Sequence, residues 1–165
     1  MTKSIGFSQL ALRDAVLASV AVLAWWLLSP YSAGYGAWSD FAGVVLGAGL
    51  GFCAYIAHEW GHIVGGFLSR SVMRPGSSMT SFSNFVYDSR QNSRPQFLFM
   101  SLLGFIPTGI AVWLFYRYLP EGELATDVAR GIVLFLVLLG VVLELPLVIW
   151  ALVRKDLPPI DRATS

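Results

Sequence analysis

Hydrophobic residues in this chain fall into four long runs separated by polar stretches of unequal length. The runs cover residues 10–29, 41–68, 97–119 and 131–153, and each predicts a helix able to cross a ~30 Å hydrocarbon core, which takes about 20 residues. The predicted fold is therefore an all-α integral membrane protein with four transmembrane helices, forming a single membrane domain over residues 1–165. The first run predicts a helix that stops at Pro30. The small residues after it, Ser32, Ala33 and Gly34, also fit a secretory signal, but Arg13-Asp14 interrupts the basic leader such a signal needs. Trp25-Trp26 fits an interfacial anchor, so a retained helix is the favoured reading.

The second run carries Gly43, Gly47 and Gly51 at intervals of four, a stripe that lets another helix approach closely. His58 lies seven residues beyond Gly51, about two turns, which continues the stripe and turns His58 and His62 toward the interior. In the third run, Gly104, Pro107 and Gly109 predict a kink, with packing alone as the other explanation. In the fourth, Pro146 predicts a kink beside Glu144, and Gly140 predicts close approach to the second helix. Within the 69–96 loop, residues 79–88 read either as a short hairpin or re-entrant strand, whose edge could hold an unwound substrate, or as an ordinary loop with interfacial aromatics. Asn84 and Asn92 of the 69–96 loop have side chains able to orient a substrate carbonyl, although nothing in the sequence singles them out.

Composition sharpens the membrane assignment. Hydrophobic residues make up 56% of the 165 and charged ones only 13%, about half the charge of a soluble domain. A formal net charge of +1 lacks the basic face that a nucleic-acid partner requires, so none is expected. Lys and Arg alternate along the chain: the N-terminus carries Lys3 and Arg13, and residues 31–40 carry none. Arg70, Arg74, Arg90 and Arg94 occupy the 69–96 loop. The following loop is acidic (Glu121, Glu123, Asp127), and Arg154 and Lys155 open the tail. This alternation predicts both termini and the 69–96 loop in the cytoplasm, in a compact chain that suits a bacterial inner membrane. The single cysteine, Cys53, can form no internal disulfide and sits about 140° around the helix from His58, the place of a small hydrophobe.

The candidate chemistry is concentrated in His58-Glu59-Trp60-Gly61-His62, an H-E-x-x-H motif that contains both histidines of the chain. On a helix the two imidazoles share a face and can grip one metal ion, while Glu59, about 100° away, can reach a water there as general base. A catalytic zinc site takes three protein ligands and an open position. The third must come from a carboxylate or from Cys53. Glu144 is an acid deep in an apolar run, with Asp88 in the loop as the reserve. Glu144 lies ten residues from Arg154 and the histidine pair ten from Arg70, each about 15 Å from the same membrane face at 1.5 Å per residue. Intramembrane ionisable residues default to function.

On H-E-x-x-H in one helix and the acid-proline element Glu144-Leu145-Pro146 two helices later, the chain resembles the site-2 protease family of intramembrane zinc metalloproteases. The resemblance covers residues 41–153. It implies a three-helix core with the first helix accessory, zinc held by His58, His62 and Glu144, Glu59 as catalytic base, and a transmembrane segment of another protein as substrate. The chain departs from the family in lacking any Asp-Gly pair and in placing Pro146 after the acid. A catalytically retired relative, acting as a metal-binding or partner-binding membrane scaffold, is therefore the alternative. Histidines one turn apart cannot ligate both faces of a haem, diiron enzymes need more histidines, and no internal repeat points to a transporter.

Overall fold

The computed structural model describes residues 5–81, 83–154 and 156–157; Lys3 and Lys155 of the charge pattern, and Phe82 of the loop, lie outside them. Four helices are long and apolar enough to cross a membrane. They are α1 (Phe7–Ser32), α2 (Ala37–Leu68), α3 (Arg94–Tyr118) and a composite fourth span. That span consists of α4 (Leu124–Leu139), one π-helical turn (Gly140–Glu144) and α5 (Leu145–Arg154). The side chains exposed on these helices are themselves large and apolar, among them Val20, Trp26, Leu138 and Val142. The polar residues His58, His62, Ser101 and Thr108 are buried. Lipid is the solvent that accepts such an outer surface.

Pro30 does not end the first helix, which runs on to Ser32. So close to a C-terminus the missing N–H removes a single hydrogen bond, and hydroxyls satisfy the last carbonyls. Ser32 Oγ donates to Ser29 O at 2.8 Å, and Ser39 Oγ to Ser32 O at 2.9 Å.

α2 is the central helix and packs against α1, α3 and α4. Its upper glycine stripe receives α4: a Cβ at Gly51 would come within 2.5 Å of the Ile132 side chain, and one at Gly47 would overlap the Ala125 carbonyl. A second stripe, Gly61 and Gly65, receives α3. Pro107 has no N–H to offer the Leu103 carbonyl, and that carbonyl would lie 2.5 Å from a Cβ on Gly61. The motif's own glycine is therefore the seat of the α2–α3 contact. Gly140 faces α3 rather than α2, because a Cβ there would meet the Phe105 ring at 3.0 Å.

The connection between α2 and α3 contains a two-stranded antiparallel sheet, β1 (Met73–Pro75) with β2 (Phe85–Tyr87), in register Met73↔Tyr87, Arg74↔Val86 and Pro75↔Phe85. Of the predicted 79–88 hairpin only β2 falls in that segment; its partner lies upstream. The intervening serines turn on themselves instead of pairing: Ser78 N donates to Ser81 Oγ at 3.0 Å, and Ser81 N to Ser78 O at 3.1 Å. Hydroxyls of this kind compete with ladder hydrogen bonds and favour turns. Asn92 staples the loop's far side, accepting from Val72 N at 2.6 Å and donating to Asp88 O at 2.9 Å.

Candidate metal centre

The two motif histidines leave α2 toward α3, and each Nδ1 rests on a carbonyl of that helix. His62 Nδ1 lies 3.1 Å from Met100 O, and His58 Nδ1 lies 3.0 Å from Gly104 O and 2.9 Å from Thr108 Oγ1. A carbonyl oxygen only accepts, so the proton of each neutral ring belongs on Nδ1 and each Nε2 presents a lone pair. Gly104 makes this seating possible, since a Cβ there would overlap the His62 imidazole. The two Nε2 atoms are 3.2 Å apart.

Glu144 completes the group. The π turn inserts one extra residue into the fourth span, a widening common at functional sites. Pro146 just beyond it withholds the N–H that an unbroken α-helix would direct at Val142. The turn ends on Glu144, whose Oε1 lies 2.9 Å from His58 Nε2 and whose Oε2 lies 3.2 Å from His62 Nε2. Oε2 is buried with no hydrogen-bond partner among the described residues. Three acceptor groups thus converge, with candidate ligand atoms all within 4.8 Å of one another. Lone pairs this close repel unless a cation lies between them. A proton bridges one pair of atoms, whereas a metal ion bridges all three. Ligands at about 2.0–2.2 Å in a tetrahedral shell are separated by roughly 3.3 Å, close to the 2.9–3.2 Å found here. His58, His62 and Glu144 form a possible metal-binding triad, and the donor set fits a zinc-type ion.

Among the described residues neither other ligand candidate joins the triad. Asp88 caps the single 3₁₀ turn at Ser89–Gln91, accepting from Arg90 N at 2.9 Å and Gln91 Nε2 at 2.9 Å. Hydrogen bonds from the Arg90 N–H first, and then from Gln91, hold its carboxyl below the usual range. Cys53 turns toward α1, with Sγ 3.9 Å from Ala18 O.

A cavity of about 170 Å³ opens beside the triad, room for several waters. His62 and Glu144 line it together with Glu59, Ser83, Phe85 and Tyr87. Phe85 and Tyr87, two residues apart on β2, present one face of the strand to it. Burial pushes the Tyr87 phenol up to about 12, so it stays neutral. Glu59 is on the cavity wall and is not a member of the triad. Its Oε2 accepts from Asn84 N at 2.9 Å and from Ser83 Oγ at 3.3 Å. Asn84 therefore meets Glu59 through its backbone, while its side chain is engaged with Asp14 and Arg13 of α1. That link is absent from the sequence reading, although its signal was of the same kind as Glu144's: Asp14 is an acid inside an apolar run, and it is only 2% exposed.

No protein-family model, no curated protein and no solved structure matches this chain.

Proposed function

We propose that this chain is an intramembrane zinc metalloprotease of the site-2 protease type, cleaving a transmembrane segment of another membrane protein. The observation that carries the reading is the meeting of His58, His62 and Glu144, with Glu59 on the wall of the same cavity. These residues would hold Zn²⁺, which when bound supplies a Lewis acid and a water acidified to near-neutral pKa. Glu59, held by the Asn84 N–H and the Ser83 hydroxyl, accepts the proton of the attacking water and returns it to the leaving amine. The β2 edge offers backbone groups to a substrate strand. A substrate helix must unwind first, because its carbonyls are engaged in its own hydrogen bonds.

The positive residues of the loop between α2 and α3, and of the tail, orient both termini and that loop to the cytoplasm of a bacterial inner membrane. The partner is then a membrane-embedded helix surrounded by lipid. The test is cleavage of a single-span reporter, loosened by glycines and read by mass spectrometry, with metal content measured on the same samples. Glu59→Gln should lower cleavage by about 10²–10⁴-fold with metal retained. Cleavage unchanged by Glu59→Gln contradicts the protease assignment, and no cleavage by the wild type favours the retired scaffold.

A further inference from the structure

We propose that Arg13, Asp14 and Asn84 are positioning residues for Glu59, so that α1, which contributes no group to the metal centre, aims the general base. This rests on the role given to Glu59 above. Four donors surround the buried Asp14 carboxylate. Oδ1 accepts from Arg13 Nε at 2.7 Å and faces Arg13 NH2 at 2.6 Å. Oδ2 accepts from Trp60 Nε1 and from Asn84 Nδ2, each at 2.8 Å. Arg13 NH2 also donates to Asn84 Oδ1 at 2.5 Å, and Arg13 NH1 to Met79 O at 2.7 Å. The Asn84 side chain is therefore held at both ends, and its backbone N–H makes a shorter hydrogen bond to Glu59 than the Ser83 hydroxyl does.

The pair thus grips the residues on either side of the base. Trp60 follows Glu59 on α2, and Asn84 approaches it from the loop. A buried charge is stable only when its hydrogen bonds are complete, and this one is completed by the parts whose relative placement sets the Glu59 carboxylate. Arg suits the task because its fork reaches Asp14, Asn84 and the Met79 carbonyl together, which a Lys cannot do.

The chain has two asparagines, Asn84 and Asn92, so selective ¹⁵N-asparagine labelling of the full-length protein in detergent gives two backbone amide signals. The Asn84 amide, bonded to a carboxylate, should lie downfield and move upfield in Glu59→Gln. The isosteric Asp14→Asn adds a third amide signal, from position 14, recognised by its absence from Arg13→Lys; it should move the Asn84 amide the same way, leave Asn92 in place, and retain the zinc content of the wild type. In the double variant the two shifts should not add, because both report loss of one hydrogen bond. Cleavage of the reporter should fall on the order of 10²-fold, the cost of a small misplacement.

An Asn84 amide that stays at its wild-type position in Asp14→Asn, or shifts that add in the double variant, overturns the proposal. Should Asp14→Asn not be recovered folded, Arg13→Lys is read by the same signal with the same outcomes. A wild type that cleaves nothing defeats the protease reading alone, since the amide signals report the positioning without any substrate.

Discussion

Gly104 shows how closely single residues set this site. Its missing Cβ is the space occupied by the His62 ring, which rests its Nδ1 on Met100 O one turn earlier. Gly104→Ala replaces no ligand, yet its Cβ must push His62 off that carbonyl. Metal affinity should fall on the order of 10–100-fold, as for other changes to groups that orient a ligand, while the helical circular dichroism is kept. Wild-type affinity in this variant, read by competition with a chromophoric chelator, would show that the ring has another seat. At this scale the sequence was legible where chemistry is rare: two histidines, and one acid deep in the fourth run. It marked Gly104 only as part of a kink, and was silent on its seating of the His62 ring and on the carbonyls of Met100 and Gly104. Backbone acceptors carry no residue signature, and a glycine in a membrane helix has many uses. Asp14 was overlooked because an acid near the start of a run also reads as the flank of a helix.

Among the elements, the fourth span departs most from its sequence pattern. The hydropathy run predicts one continuous helix with a bend at Pro146, whereas the chain widens into a π turn over Gly140–Glu144 before that proline. The extra residue rotates Glu144 relative to α4, on which Val133 and Leu136 face the core. Deleting Val141 should restore a plain α-helix and swing Glu144 about 100° from the histidines. Bound metal should then be lost from a protein that still inserts and retains its helical content. Metal retained at the wild-type level would mean that the π turn does not aim the carboxylate. Helix existence followed from hydropathy because the bilayer demands it. The strand pairing did not, since three-residue strands are too short for a periodic signal, and β1 contains Pro75, a residue that usually marks an edge.

Across the whole molecule, three helices and a loop converge on α2. α4 enters along one glycine stripe, α3 along the other, and α1 through the Arg13–Asp14 pair. The first helix, expected to be accessory, is linked to the motif helix through Trp60 and to the β2 side of the loop through Asn84. A two-residue polar signal within an apolar run could not show which loop it would meet, because that partner lies 70 positions away. Orientation rests on loop charge alone. A cysteine placed at Ser77 in a Cys53→Ala background should resist an impermeant maleimide in intact cells and react after lysis. Labelling in intact cells would invert the topology.

The central claim is that His58, His62 and Glu144 hold one metal ion, and the most direct test is zinc content of the detergent-purified protein beside His58→Ala and Glu144→Ala. The arrangement predicts about one zinc per chain in the wild type, as one four-coordinate site requires, and loss of it in both variants. Zinc retained in Glu144→Ala, or a wild type that binds none when zinc is supplied, would contradict it.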